Sequence, residues 1–389
     1  MGNKARREYL ARIRYRYKKA SRKAKKLILD EFCAVCGYHR KHAIRLLRGK
    51  ASPPRKKKGP ASIYDNPEFI QALRTIWNAA GNICSRRLKA AIPIFLPWYK
   101  KHYMLSPETE RLLLDVSPKT MDRKLKSLRV DFLKKRFSST KPGSLLKNQI
   151  PIKTGNWDVT RPGFMEADTV AHCGSSLAGD LIYTLVMTDI HTGWTEQRAV
   201  WNKGQAGVFA AVRDIEEGLP FPLLGFDCDN GSEFLNHHLW RYCTGKNIAF
   251  TRSRPYKKDD NAHVEQKNWT HVRQLLGYIR LEKPELVDVL NDLYVNQWNL
   301  YVNFFLPSMK LEHKERVGSR MKRIYDDPMT PFQRVMDCAD VSGTVKNMLK
   351  RKYEKLDPFE LRAEIDGKVA LIQDIASVTS NTTQRILIR

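Results

Sequence analysis

The sequence predicts a multidomain chain of class α + α/β, with N-terminal helical domains, a mixed-sheet core and a small C-terminal region. Its 389 residues are enough for two or three domains, and 42% hydrophobic residues can form a sizeable core. The hydrophobic pattern changes from helical to strand-like near Gly163. No window holds 18 consecutive apolar residues, so we expect no membrane span.

Charge is distributed unevenly along the chain, whose net charge is +28. Residues 1–60 hold 21 Lys or Arg against three Asp or Glu, whereas residues 151–270 hold 12 basic and 15 acidic residues. A basic N-terminal part suits phosphate backbones, although a solvated tail is the alternative. The acidic middle suggests a cation site. The N-terminus lacks the apolar stretch of a secretory signal, and seven scattered Cys fit reduced, cytoplasmic thiols.

Residues 1–50 predict a helix-turn-helix DNA-binding domain. Apolar residues recur at helical spacing on both sides of Gly37, and the second helix carries Arg40, Lys41 and Arg45 on its outer surface. An ordinary helical hairpin is the alternative. A zinc site at the Cys and His residues of CAVCGYHRKH is disfavoured, because zinc fingers usually separate their Cys pair from their His pair by about a dozen residues.

Residues 51–62 are basic and Pro-rich and predict a linker. Residues 63–137 predict a second helical DNA-binding domain, and residues 138–157 a second linker. In SPKTMDRKLKSLR, Ser117 is expected to cap a second recognition helix that carries Lys119, Arg123 and Lys124. A helical scaffold with a solvated basic face is the alternative.

Residues 158–305 predict the core. Strand-like segments rich in Val, Ile, Thr and aromatic residues alternate with helical segments in the order βββαβαβαα. Helices on both faces of a mixed sheet are the natural packing for this order.

Three acidic residues occupy informative positions in this core. Asp168 lies in the first strand, Asp229 ends the fourth, and Glu265 lies in the helix after the fifth, with 35 residues between it and Asp229. Groups at the carboxyl ends of strands meet at one crevice of such a sheet. Clustered carboxylates need a counter-charge, which Mg²⁺ or Mn²⁺ supplies.

The stretch DNGSEF, residues 229–234, predicts how Asp229 is held. The strand fixes Asp229 at the end of the sheet, and the turn at Asn230 and Gly231 redirects the chain. Ser232 is then expected to cap the next helix, with Glu233 in its first turn.

These motifs together resemble the retroviral-integrase-like DDE transposases of bacterial insertion sequences. DCDNGSEF resembles the family's second-aspartate motif, DDNAHVEQKNW its glutamate motif and GFMEADTVAH its first-aspartate strand. The spacing between Asp229 and Glu265 is also typical of that family. The resemblance covers about residues 160–305, and the helical segments before them resemble those of the same transposases.

The resemblance implies a ribonuclease-H-like integrase catalytic core in which Asp168, Asp229 and Glu265 are the catalytic and metal-binding residues. It implies two Mg²⁺ ions, with Mn²⁺ as a substitute, and a reaction in which water cuts a DNA strand and the freed 3′-hydroxyl attacks target DNA. The implied partners are double-stranded DNA, as element ends and target, and at least one further copy of the chain. No small-molecule substrate or membrane is implied, and a nucleoid-associated place in the bacterial cytoplasm is expected.

Several neighbouring residues are weighed against this triad. Glu166 is expected to be salt-bridged or at the surface rather than a metal ligand, Asp227 is disfavoured against Asp229, and His172 is expected to have its hydrogen bonds satisfied within the fold. Trp194 and Trp269 are expected to pack rather than to stack on bases.

The remaining predicted DNA contacts lie around the glutamate motif. Many family members carry a basic residue seven positions after the glutamate, but this chain has Val272 there, so the substitute candidates are Lys267, Asn268 and Arg273. The basic stretch TRSRPYKKDDNAH, with Arg254, Lys257 and Lys258, predicts a loop that orders on DNA, against the alternative of a solvated loop. Residues 306–389 predict a basic, then helical, DNA-end or subunit contact region.

Two other functions remain open from the sequence. The chain could be a DNA-binding regulator with an inactive core, which the presence of all three acids argues against. It could also be a structure-selective nuclease on the same fold, which two preceding DNA-binding domains argue against.

Overall fold

The computed structural model describes residues 2–49, 62–126, 159–253 and 262–386. They belong to two compact units, Met1–Ile63 and Tyr64–Arg389. The predicted linkers, apart from Ser62, lie outside the described residues. In the part of the chain that is described, no helix combines the length and the apolar character needed to cross a bilayer.

The first unit contains three helices, α1 Asn3–Lys19, α2 Arg22–Cys36 and α3 Arg40–Arg48. The Ser21 hydroxyl caps α2 by accepting from the backbone N–H of Ala24 at 3.4 Å. Gly37 ends α2 in the left-handed region at φ 67°, a conformation that glycine adopts without steric cost. The predicted helix, glycine turn and helix are therefore present in α2 and α3.

The second unit begins with four helices, α4 Pro67–Ala79, α5 Ser85–His102, α6 Pro107–Asp115 and α7 Pro118–Leu125. Three of them start at a proline that follows a capping residue, namely Asn66, Ser106 or Ser117. Proline fits the first helical position because its missing N–H would have no partner there. The predicted cap at Ser117 is observed, with its hydroxyl 3.3 Å from the backbone nitrogen of Thr120.

A five-stranded mixed sheet follows, in the order β3-β2-β1-β4-β5. Its strands are β1 Phe164–Ala171, β2 Ile182–Asp189, β3 Thr195–Trp201, β4 Gly225–Cys228 and β5 Ala249–Arg252. The first three strands are antiparallel neighbours, whereas β1 and β4, and β4 and β5, are parallel. The mixed sheet predicted from the sequence is thus confirmed.

Alternation along β1 separates the core from the acidic face of the sheet. Met165 and Ala167 join an apolar cluster formed with helices α8 Gln205–Gly218 and α9 His237–Gly245. Glu166 and Asp168, one residue out of phase, face the other side. A continuous helical segment lies on that side and consists of α10 Ala262–Lys267, a π-helical stretch Asn268–Arg273 and α11 Gln274–Leu276.

The rest of the unit is helical apart from one hairpin. Its elements are α12 Leu286–Leu293, a π-helical stretch Tyr294–Trp298, α13 Asn299–Phe305, β6 Leu311–Val317, β7 Arg320–Tyr325, α14 Pro331–Asp337, α15 Gly343–Glu354 and α16 Pro358–Ile386. The hairpin corrects the sequence interpretation, which expects only a basic segment followed by helix. Gly318, at φ 61°, forms the tight turn between the two strands.

One hydrophobic cluster joins the helices before the sheet to those after it. The ring of Phe95 in α5 lies 6.1 Å from that of Phe305 in α13 and 5.9 Å from that of Phe359 in α16. The Tyr301 hydroxyl also donates to the backbone carbonyl of Ala79. Residues of the predicted second helical domain, core and C-terminal region therefore share one interior.

Candidate active site

Asp168 and Asp229 lie on neighbouring parallel strands. The register pairs Glu166 with Asp227 and Ala167 with Cys228, so Asp168 and Asp229 occupy the next position at the end of β4. Because the two strands run in the same direction, these aspartates emerge at the same edge of the sheet. The structure therefore brings together two members of the predicted triad.

The two aspartates oppose each other's ionisation. The pKa of Asp168 is raised to about 7, first by burial and then by the charge of Asp229. Its carboxylate accepts the Thr169 backbone N–H at 2.7 Å and the Asn268 amide at 2.6 Å, which offset this only in part. Burial and the charge of Glu233 raise the pKa of Asp229 as well. The site thus concentrates negative charge beyond what its hydrogen bonds satisfy.

The turn after Asp229 differs from the sequence interpretation. Helix α9 begins at His237, and its cap is Asn236, whose side chain accepts from the Leu239 backbone N–H at 3.0 Å. Ser232 therefore does not cap this helix, and Glu233 is not in its first turn. The Gly231 N–H donates to Asp229 Oδ1 at 2.8 Å, which closes a turn on the aspartate itself.

Glu233 is the acidic residue that sequence reasoning missed. It is only 2% exposed, and its Oε1 accepts from Thr169 Oγ1 at 3.1 Å and from Lys203 Nζ at 2.6 Å. Its other oxygen, Oε2, is buried and has no hydrogen-bond partner among the described residues. The sequence carries one signal for this position, because Glu233 comes two residues after Gly231. A turn that closes on Asp229 returns the chain toward the sheet and brings this glutamate close to the aspartates.

The helix that carries Glu265 is fixed to the acidic face at two places. Before Glu265, the buried Glu166 accepts the backbone N–H groups of His263 and Val264 at 3.0 and 3.1 Å. After it, Asn268 donates to Asp168 at 2.6 Å. Glu265 is exposed between these two anchors. Glu166 therefore satisfies the start of a helix and is buried, so the surface position that the sequence offered as one alternative is wrong.

The backbone that follows α10 is π-helical from Asn268 to Arg273. Such stretches are rare and frequently occur at functional sites, because an extra residue in a turn redirects the side chains around it. Here the stretch begins at the residue that contacts Asp168.

The donor chemistry of the site fits a hard divalent cation. Among the described residues, the carboxylates of the predicted triad do not form a group whose ligand atoms all lie within 4.8 Å; His102, Asp357 and Glu360 do. That second group is a surface pairing in which His102 lies 2.7 Å from Asp357. Beside the two aspartates, however, Glu233 Oε2 is a buried carboxylate oxygen without a hydrogen-bond partner among the described residues, and oxygen is the ligand that Mg²⁺ and Mn²⁺ prefer.

Asp227 and His172 have partners within the fold. Asp227 is fully buried and accepts from Thr251 Oγ1 at 2.6 Å. His172 is also buried, with Nε2 2.7 Å from Thr184 Oγ1, and burial lowers its pKa to about 3. Asp227 therefore has the structural role that the sequence favours. Among the described residues, the buried Nδ1 of His172 has no hydrogen-bond partner, so the expectation of a fully satisfied histidine was wrong for that atom.

The predicted DNA contacts of α3 and α7 lie mainly at the surface. Lys41, Arg45, Lys119 and Arg123 are exposed. Arg40 forms an ion pair with Asp30, and Lys124 one with Asp65. Their role in DNA binding stays a prediction.

The candidates around the glutamate helix have different environments. Lys267 is only 7% exposed, so it is not a surface side chain of the helix. Arg273 donates to the Ala171 carbonyl at 2.8 Å. Trp194 is buried as expected, whereas Trp269 is 38% exposed, so its packing role stays a prediction. The predicted contacts Arg254, Lys257 and Lys258 lie outside the described residues.

Comparison with solved structures gives matches to retroviral integrase cores. The HTLV-2 integrase catalytic core domain in complex with magnesium is 18% identical, with a TM-score of 0.28, over 38% of this chain and 90% of that chain. The catalytic core domain of BIV integrase is 15% identical, with a TM-score of 0.30, over 49% of this chain and 98% of that chain. Similarity at this level carries no argument about function. No family model matches the chain.

Comparison with curated sequences gives a much stronger match. The uncharacterized protein y4rM of Sinorhizobium fredii (strain NBRC 101917 / NGR234) is 42% identical over 330 residues, which are 84% of this chain and 94% of the relative. Agreement at this level over nearly the whole of both proteins extends well beyond the acidic motifs. The chain therefore belongs to the same family as y4rM.

Proposed function

We propose that this protein is a DNA transposase of the DDE type, with a ribonuclease-H-like core that cuts DNA strands and joins them to a target. The observation that carries the proposal is the pair of aspartates on adjacent parallel strands. The charge of Asp229 raises the pKa of Asp168. Asn268, in the helical segment that carries Glu265, donates a hydrogen bond to Asp168. A fold gains no stability from such an arrangement, which indicates a role in binding a cation.

Asp168, Asp229 and Glu265 are the residues that would hold divalent cations. When bound, two such ions would activate an attacking oxygen and stabilise the leaving oxygen on phosphorus. Asn268 would orient the Asp168 carboxylate, and Glu166 would hold the start of the glutamate helix in place. Glu233, paired with Lys203, would add negative charge behind the aspartates.

DNA would be bound by basic surfaces outside this acidic site. Arg40, Lys41 and Arg45 on α3, and Lys119, Arg123 and Lys124 on α7, are the proposed contacts with the ends of the element. Arg254, Lys257, Lys258, Lys267 and Arg273 are the proposed contacts near the cut. Two ends must be joined in one reaction, so the active form is proposed to contain at least two chains.

The test is a cleavage and joining assay with DNA that carries the flanks of the protein's own gene. Wild-type protein and a Glu265→Gln variant are incubated with it in Mg²⁺ or Mn²⁺, and 3′-end nicking and joining to a plasmid are measured. We expect the wild type alone to nick and join. Nicking without joining would favour a nuclease, and tight binding without chemistry in either metal would favour a regulator.

A further inference from the structure

A cavity of about 950 Å³ lies against Glu166 of the acidic face and against α10, the helix that carries Glu265. Its walls come from α5, from the helical segment that begins at α10 and from the β6–β7 hairpin. It is lined by five Lys or Arg residues and two Glu residues: Arg87, Lys267, Lys310, Lys314, Arg323, Glu166 and Glu312. The excess of positive charge indicates an anion as its occupant.

Lys267 is a buried basic residue at the inner wall. It is 7% exposed, and the charges that act on it are those of Arg87 and Arg334, both of its own sign. Within the described residues it has no hydrogen bond to an acidic side chain. Burial of an ammonium group without a counter-charge is unfavourable because the group loses its hydration. An anion in the cavity would remove this cost.

The outer wall repeats the same pattern. Lys314 and Arg323 lie directly opposite each other in the hairpin register, and both line the cavity. Like charges at opposed positions of two strands destabilise the pairing. The other face of the hairpin differs, because Lys322 there forms an ion pair with Glu315 at 3.6 Å. The unbalanced pair is therefore the one that faces the cavity.

One acid and one cation of the cavity already have neutral partners within the fold. Glu166 accepts the His263 and Val264 backbone N–H groups, which commits one of its oxygens to the start of the helix. The Arg87 guanidinium donates to the Pro307 carbonyl at 2.5 Å, so it is held in the wall by a neutral group. The cavity is consequently preorganised for negative charge supplied from outside.

We propose that this cavity binds the phosphodiester groups of a DNA strand, with Lys267 and Arg87 at its inner wall and Lys314 and Arg323 at its outer wall. The charges of the cavity indicate a phosphate-bearing ligand by themselves, and the identification of that ligand as DNA rests on the proposed function. The site would hold the DNA backbone within one helix diameter of Glu265, because Lys267 and Glu265 belong to the same short helix. The hairpin, exposed along both strands, would close over the strand as a basic flap.

The test compares two double variants of the hairpin in the full chain. Lys314→Gln with Arg323→Gln removes two charges from the cavity face, whereas Arg320→Gln with Lys322→Gln removes two from the opposite face. Binding of a fluorescent single-stranded thymidine oligonucleotide is measured at several salt concentrations in EDTA, with inorganic pyrophosphate as competitor. We expect roughly a tenfold loss of affinity and a shallower salt dependence, by about 1.4 in the logarithmic slope, for the cavity-face variant only.

Equal losses in the two double variants, or none in either, would overturn the inference. Tighter binding of pyrophosphate than of the oligonucleotide would also overturn it, because the site would then serve a small anion. Lys267→Met should weaken binding without lowering the midpoint of unfolding, and unchanged affinity together with a lower midpoint would contradict its role. Since no metal or chemistry is involved, this result is independent of whether the protein cuts DNA.

Discussion

Two carboxylate regions of the second unit lie in opposite environments. Glu68, at the start of α4, accepts the Ser106 N–H at 2.8 Å and the Ser106 and Thr109 hydroxyls at 2.6 Å each. These donors lower its pKa. Asp168 and Asp229 have fewer donors and more negative neighbours, and their pKa values are raised. A carboxylate that stabilises the fold is surrounded by donors, whereas those of the site are left for a ligand to neutralise.

The largest expected effect separates chemistry from folding. Asp229→Asn should lower metal-dependent strand cleavage by more than roughly 100-fold, since even groups behind a metal ligand are worth 10- to 100-fold. DNA affinity should be unchanged. Asp214→Asn, which removes an acid whose side chain is 62% exposed, is the matched control and should retain activity. Cleavage and binding assays on both variants check this, and persistent strand joining by Asp229→Asn would exclude the proposed triad.

The electrostatic contrast predicts a stability gain from the loss of a site carboxylate. The pKa of Asp168 is raised, so its ionisation costs stability as the pH rises from the ordinary carboxyl range through about 7. In EDTA at pH 8, Asp168→Asn should therefore be more stable than the wild type, by at most about 4 kcal/mol because solvent screens a half-buried group. At pH 4 the difference should disappear. Denaturant unfolding at both pH values measures it, and a less stable variant at pH 8 would contradict this environment.

The turn after Asp229 can be tested by a single methyl group. A Cβ at Gly231 would lie 2.4 Å from Glu233 Oε2 and 2.8 Å from Asp229 Oδ1, so Gly231→Ala must displace one of these acids. We expect a loss of about 1–3 kcal/mol in unfolding free energy and reduced cleavage. Gly207→Ala is the control, because a Cβ there meets nothing within 4 Å. Equal behaviour of the two variants would show that the turn does not set the site geometry.

The smallest expected effect concerns Glu68. Its lowered pKa contributes stability above the ordinary carboxyl pKa, and this contribution is lost as the pH falls through the lowered value. Glu68→Gln should thus be less stable than the wild type at pH 7 and equally stable in strong acid. Thermal unfolding across this range is the measurement. A stability difference between the wild type and Glu68→Gln that grows as the pH falls would contradict the lowered pKa of Glu68.

Much of the sheet and part of the candidate site could be predicted from the sequence. Strand periodicity and the turn at Asn230 and Gly231 predicted a mixed sheet with Asp168 and Asp229 at one edge, because parallel strands impose that geometry. Glu233 was not predicted, since the local pattern matched a helix start and the contact with Thr169 depends on the sheet. The β6–β7 hairpin was not predicted either, because its polar and basic residues show no apolar face and the segment was expected only to be basic.

The burial of Lys267 and the shared interior also lay beyond the sequence. A lysine on an amphipathic helix is normally at the surface, and only the packing of α5 and the hairpin over that helix buries it. Likewise, the Pro-rich and basic stretches suggested separate domains, whereas aromatic contacts such as Phe95 with Phe305 join them. Long-range packing of this kind has no signature in local periodicity.

The central claim is that Asp168 and Asp229 together hold a divalent cation. The most direct measurement is the midpoint of thermal unfolding of the wild type and Asp229→Asn as Mg²⁺ or Mn²⁺ replaces EDTA at constant ionic strength. We expect the midpoint of the wild type to rise saturably with the cation and that of the variant to stay constant. The rise corresponds to a gain of about 2.7 kcal/mol in unfolding free energy when the cation exceeds its dissociation constant by 100-fold. An equal rise in both proteins, or none in the wild type, would contradict the claim.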